Sequence, residues 1–247
     1  MQIIDTHVHY GKTDKINMTL EEICFLVKQR KIDVAIISSI ENVETYKSFI
    51  FKDGLKRNTC LLNAIQDVEG LYMQYWIRPK TECMNNRIAS FIENNRDKVL
   101  GLKIHPFLSK LCITDKRIKP YLDYAQQNLL PVSVHTAKGY ECETRYLAKV
   151  CEDYPLVNFI AVHMDLGTDH KEAVSLVNKI PNLYGDVSWI TYQDYLNLGV
   201  SKSKVLFGSD IPINMETAYD FYNDYFVYEN EEEKLMHENA LKLFFTK

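Results

Sequence analysis

The sequence predicts an α/β chain of the (β/α)8 barrel class, and three observations carry that prediction. Its 247 residues match the length of roughly 250 typical of one such barrel. Short β-branched runs alternate with helical stretches along the whole chain. His7, His9, His105, His135, His163 and Asp210 fall at or near the ends of separate predicted strands, and only a closed sheet gathers such ends at one rim. The expected architecture is one compact domain over residues 1–247, a TIM barrel with a C-terminal helix flanking it.

The first strand is the apolar run from Gln2 to His9. Alternate side chains of a strand share a face, so His7 and His9 point the same way with Asp5 behind them, while Thr6 and Val8 point oppositely. Thr19 and Glu22 have capping-box spacing and open a helix towards Arg30, which accounts for Asn17-Met18-Thr19 better than a glycosylation site does. Val34 to Ile40 is a β-branched run suited to a strand buried on both faces. From about Val43 to Asp67 the pattern is helical, broken at Asp53-Gly54. Leu61 to Ile65 also fits a strand, but the helical reading leaves a complete helix between strands two and three. Leu71 to Ile77 is the third strand, before Arg78-Pro79.

A helix from about Thr81 to Asn95 leads into the fourth strand, Val99 to His105, closed by Pro106. Another helix ends near Asn128. Pro131 to His135 is strand five, a helix spans Thr144 to Tyr154, and Leu156 to His163 is strand six. Asn182 to Val187 is a weaker seventh strand, and Val205 to Asp210 is the eighth, ended by Ile211-Pro212. Glu231, Glu232 and Glu233 form an acidic first turn, followed by Leu235, Ala240, Leu241 and Phe244 at helical spacing, a helix expected to cap or flank the barrel.

Composition narrows the function. With 46% hydrophobic and 12% aromatic residues the chain can fill one large core, and a net charge of −4 supplies no basic field for nucleic acid or an anionic membrane. No apolar stretch reaches the roughly 18 residues of a membrane helix. The N-terminus runs directly into a strand, so the expected location is cytoplasmic. The six cysteines are dispersed with no Cys-x-x-Cys pair, as reduced structural thiols are. The expected partner is a small molecule, with a homodimer as the commonest closed assembly.

Catalytic groups of such barrels come from the C-terminal ends of several strands. His7, His9, His135 and Asp210 supply the imidazole and carboxylate donors that suit zinc, manganese or iron, with one coordination position left for water. One divalent ion, zinc foremost, is the expected cofactor, and a second ion is the variant. Such an ion lowers the pKa of bound water towards roughly 7. Asp210 is then placed to accept the water proton and return it to a leaving group, while His163 and the metal stabilise the substrate oxyanion.

The motifs Ile4-Asp-Thr-His-Val-His9, Gly101-Leu-Lys-Ile-His-Pro106, Val132-Ser-Val-His-Thr136, Val162-His163 and Phe207-Gly-Ser-Asp-Ile-Pro212 together resemble the amidohydrolase superfamily, most closely its amidohydrolase 2 branch. The resemblance implies a metal held by His7, His9, His135 and Asp210. It gives His163 a place beside the substrate in a one-metal site or on a second ion in a two-metal site. Strand four departs from the two-metal pattern, since His105 occupies its end and Lys103 lies one inward step deeper. Lys103 reads either as a bridging carbamate or as a buried cation for the site carboxylates or a substrate anion, and a single metal is favoured. TatD-like nucleases would carry a glutamate in strand four, which this chain lacks.

Other candidates have bland readings beside their functional ones. His105 binds substrate or a second ion, or hydrogen-bonds at the rim. Arg78 forks onto a substrate carboxylate or pairs with a helix. Trp189 and Tyr192 line the pocket or pack at the rim, and His170 and His237 are surface residues. The expected activity is metal-dependent hydrolysis of a small amide, lactone or ester. The alternatives are a nonoxidative decarboxylase or hydratase using the same site, and a barrel that binds metal or ligand without turnover. A Gly-x-Ser-x-Gly elbow is absent, which argues against a serine hydrolase.

Overall fold

Branched residues in short buried runs form the wall of the barrel. The computed structural model describes residues 2–14, 16–44, 53–139, 141–227 and 233–246. Eight strands run parallel, each beside its predecessor. They are β1 (Ile4–Lys12), β2 (Val34–Ser39), β3 (Leu71–Trp76), β4 (Val99–Ile104), β5 (Val132–Ala137), β6 (Phe159–Leu166), β7 (Leu183–Asp186) and β8 (Val205–Leu206). The circuit closes beyond the two residues of β8. The carbonyl of Phe207 accepts from the Thr6 amide at 3.0 Å, that of His7 from Asp210 at 2.8 Å, and that of Ile211 from His9 at 2.8 Å. A two-residue strand, Asn17–Met18, pairs antiparallel with the end of β1 and was not foreseen in the sequence.

Helix α1 (Leu20–Gln29) opens with the capping box expected of Thr19 and Glu22. Helix α2 (Gly54–Ile65) starts from Asp53, whose carboxylate accepts from the Lys56 amide, and contains Leu61 to Ile65, as the helical reading required. The part of that reading at 45–52 lies outside the described residues. Helix α3 (Asn86–Asn94) starts later than the pattern suggested. Asn85 caps it through the amides of Arg87 and Ile88, and the amides of Thr81 and Glu82 turn back onto the Arg78 carbonyl instead. The remaining helices are α4 (Pro106–Ser109), α5 (Lys119–Gln127), α6 (Thr144–Asp153), α7 (Lys171–Lys179), α8 (Tyr192–Leu198), α9 (Met215–Val227) and α10 (Asn239–Phe244).

Two apolar clusters hold these layers. The larger packs helix residues such as Leu61, Ile92 and Val177 against strand residues such as Met73, Leu102 and Val134. The smaller joins Ile4, Val34, Ile36, Leu100, Ile160, Val162, Tyr184 and Leu206 to Ala240, Leu243 and Phe244 of α10. Since Ile4, Val34 and Leu100 are the first or second residues of their strands, the C-terminal helix plugs the N-terminal end of the barrel and leaves the other end for chemistry. Glu231 and Glu232 of the expected acidic turn lie outside the described residues. Among the described residues no helix is long and apolar enough to cross a membrane, and the six cysteines are free.

Candidate functional site

The alternation of β1 puts His7 and His9 on one face, and their Nε2 atoms lie 3.2 Å apart. Asp210 reaches the same point, its Oδ1 2.9 Å from His9 Nε2 and 3.3 Å from His7 Nε2. All three residues are buried. They form a cluster whose donor atoms lie within 4.8 Å of one another, compact enough for one ion. Gly208 makes the approach feasible, because a Cβ there would stand 2.9 Å from His7 Cβ and 3.0 Å from Asp186 Oδ2.

The outward nitrogens are tied down. His7 Nδ1 donates to Asp186 Oδ2 at 3.0 Å, and His9 Nδ1 pairs with Ser38 Oγ at 3.1 Å. Such partners orient imidazole ligands and fix their tautomer, leaving Nε2 for the centre. Burial, reinforced by the positive charge of Lys103, holds the His7 pKa below its ordinary value, so the ring is neutral and able to ligate. Burial alone would raise the Asp210 carboxyl, but the surrounding histidines hold it well below the usual carboxylate range. Two imidazoles and one carboxylate are a donor set that fits a divalent ion of zinc type.

Lys103 is buried beside the cluster, its Nζ 3.0 Å from His7 Nε2, and burial pushes its pKa down to about 8. His163 lies across the cluster, its Nε2 3.9 Å from Asp210 Oδ2. Its Nδ1 is 2.7 Å from Ser188 Oγ, and burial lowers its pKa to about 4. His135 is outside the compact cluster but on the same rim, its ring 4.9 Å from that of His163 and stacked 3.8 Å from that of His105. Burial holds both His105 and His135 well below the ordinary histidine value. Trp189 Nε1 donates to Asp210 Oδ2 at 2.6 Å.

These side chains face a cavity of about 490 Å³ walled by Trp76, Phe107, Leu108, Trp189 and Ile213, with Lys138 at its edge. The backbone is strained here. His163, Met164 and Asp165 have φ of 70°, 46° and 69°, Trp189 66° and Asp210 59°, a left-handed region that non-glycine residues rarely enter. Asp165 secures the first run by accepting from the amide and hydroxyl of Thr144 at 2.6 and 2.7 Å.

Other sequence candidates lie elsewhere. Arg78 is fully buried with its side chain against the Gly54 and Glu82 side of α2, and does not line the cavity. Tyr192 is buried against Tyr195 and Phe221. His170 and His237, expected at the surface, are both half-buried: His170 Nδ1 is 2.7 Å from the Met164 carbonyl at the strained run, and His237 sits in the helical segment Lys234–Glu238 before α10. Sequence reading missed Asp186, Ser188 and Ser38. Asp186 had a signal, a carboxylate at the end of strand seven, in register with the other rim residues.

A family comparison decides the affiliation: the amidohydrolase 2 model, described as amidohydrolase, matches residues 89–246. The chain belongs to the amidohydrolase family. Its match begins after β1, so the His7 and His9 pair lies outside it, whereas structural similarity takes in the whole barrel. A 2,6-dihydroxybenzoate decarboxylase from Rhizobium shares 14% identity over 99% of each chain with a TM-score of 0.74. An amidohydrolase from Burkholderia multivorans with bound zinc shares 10% identity over 98% of this chain and 99% of that one, TM-score 0.74. A probable 2-pyrone-4,6-dicarboxylic acid hydrolase from Acinetobacter baumannii with citric acid bound shares 16% identity over 100% of both chains, TM-score 0.68. At such identities the amidohydrolase relatives speak for the fold alone. No curated protein sequence matches this chain.

Proposed function

We propose that this amidohydrolase is a metal-dependent enzyme that hydrolyses a small carbonyl compound, an amide, lactone or ester. The observation that carries this reading is the meeting of His7 Nε2, His9 Nε2 and Asp210 Oδ1 at the cavity floor. These residues, with His135 on the facing strand, would hold one divalent ion, zinc foremost. Bound there, the ion supplies Lewis acidity to polarise a carbonyl and acidify water.

The chain's own groups do the rest. Asp210 accepts the proton of the attacking water and returns it to the leaving group. Lys103 and Lys138 offer positive charge to an anionic substrate, while Trp76, Phe107 and Trp189 exclude water and offer flat apolar surfaces. His105 reinforces one wall by stacking between Trp76 and His135.

A second reading, nonoxidative decarboxylation or hydration of a small carboxylic acid, is favoured by the buried cation of Lys103 beside the cluster. Two assays separate the readings. Protein purified without added metal is analysed for bound ions, then offered lactones, esters and amides in one panel and unsaturated carboxylic acids in another. About one ion per chain and cleavage of a lactone, ester or amide with addition of water supports hydrolysis, whereas carbon dioxide release, or addition of water across the double bond of an unsaturated acid, makes the protein a lyase. Bound metal with turnover in neither panel supports a binding barrel. Asp210→Asn is expected to lower turnover by about two to four orders of magnitude. Unchanged turnover removes Asp210 as the base.

A further inference from the structure

The hydrogen-bond chain behind His163 determines which of its ring nitrogens carries the proton. It starts at Asp186, buried between β6 and β8. Its Oδ2 accepts from His7 Nδ1 at 3.0 Å, and its Oδ1 accepts from the backbone amides of His163 at 2.8 Å and Ser188 at 3.2 Å. An amide N–H can only donate, so a proton on Oδ1 would face two donors, and Oδ1 is an acceptor. Ser188 Oγ lies 2.5 Å from that same oxygen and therefore gives its single proton to it. The hydroxyl is also 2.7 Å from His163 Nδ1. With its proton committed to Asp186, it can only accept there, so Nδ1 bears the N–H.

A neutral imidazole carries one N–H, which leaves Nε2 with a lone pair. That atom faces the cavity, 3.9 Å from Asp210 Oδ2, beyond hydrogen-bond range. The ring cannot swing away, because the left-handed run from His163 to Asp165 is held by Asp186 and Thr144, and Met164 fills the space left by Gly185, where a Cβ would collide with Met164 Sδ.

We infer that His163 is a hydrogen-bond acceptor towards the substrate, its Nε2 receiving a proton-bearing group, a hydroxyl, an N–H or the attacking water, with Ser188 and Asp186 as positioning residues that hold this tautomer. The opposite tautomer would donate to a developing oxyanion, the role the sequence suggests. The inference deepens the proposed function and rests on it for the catalytic consequence, while the proton position stands independently of any reaction.

Nitrogen-15 NMR of the histidine rings, in metal-free and zinc-loaded protein with His163→Gln for assignment, reads the tautomer directly. The expected result is the Nδ1–H form of His163 in both states, its loss in Ser188→Ala and its recovery in Ser188→Thr. On a substrate found in the panels above, Ser188→Ala lowers kcat by about fivefold to tenfold, with a smaller change in KM, and Ser188→Thr restores it. An Nε2–H form in the wild type, or a zinc bond to His163 Nε2, overturns the inference. If Ser188→Ala does not fold, the wild-type spectrum decides alone. Failure of the hydrolase reading shows as absent turnover with the Nδ1–H form intact, whereas failure of this inference shows in the spectrum whatever the turnover.

Discussion

At the N-terminal end of the barrel Ile4, Val34, Ile36, Leu100 and Leu206 meet Leu243 and Phe244 of α10 in an apolar plug. At the other end the same sheet buries His7, His9, Lys103, His135, His163 and Asp210, with strained backbone at His163–Asp165 and Asp210. Both ends are made by the same chain alternation, yet one gains stability from area removed from water and the other gives it up to desolvated polar groups. Stability and chemistry are thus separated along the barrel axis, and changes at one end should be read out independently of the other.

Acid tests this separation most severely. Burial holds the pKa of His7, His105 and His135 below 6.5 and that of His163 at about 4. Between those values the unfolded chain takes up protons that the folded chain refuses. Stability of the metal-free protein therefore falls as pH drops from about 6.5 towards 4, by up to ~1.4 kcal/mol per pH unit for each histidine. Asp5, raised to about 6 by burial, opposes this with one proton, since its folded form binds the proton more tightly. Urea midpoints measured from pH 7 to 4.5 check the slope, and a constant midpoint would mean the rim histidines titrate as they do in the unfolded chain.

Phe244→Ala probes the plug. Truncating this buried ring should cost about 3–5 kcal/mol in urea unfolding while leaving the number of bound ions per chain unchanged. Loss of metal binding in a folded Phe244→Ala protein would show that the ends are coupled. The smallest effect is expected from Asp186→Asn. Removing the charge behind His7 should weaken zinc affinity by about ten- to a hundredfold in chelator competition, and loss of the carboxylate's buried hydrogen bonds should cost about 1–3 kcal/mol in urea unfolding. An unaltered affinity would make Asp186 a partner of the His163 loop alone.

Much of this was legible from residue spacing. His7 and His9 share a face because strand side chains alternate, and Thr19 with Glu22 forms its box because those residues are neighbours in chain. The plug was legible as a helix capping or flanking the barrel, but not the end that it closes, since its target at the opposite end of the strands is remote in sequence. Asp186 and Ser188 went unseen for a similar reason. Their partners are 179 residues away at His7 and 25 away at His163, joined by hydrogen bonds that no local pattern encodes. The antiparallel Asn17–Met18 strand was hidden because two residues carry no period.

By itself the amino-acid order determined the alternation of strands and helices, the common rim of the histidines and aspartate, and the donor types that suit a divalent ion. These follow from periodicity and residue chemistry, which are local. Only the tertiary structure decided which atoms converge, that Lys103 enters the cluster while Arg78 turns towards α2, and which nitrogen of His163 is protonated. Each of those depends on contacts across the closed sheet, where distance, burial and a hydrogen-bond partner's own commitments settle what a side chain can do.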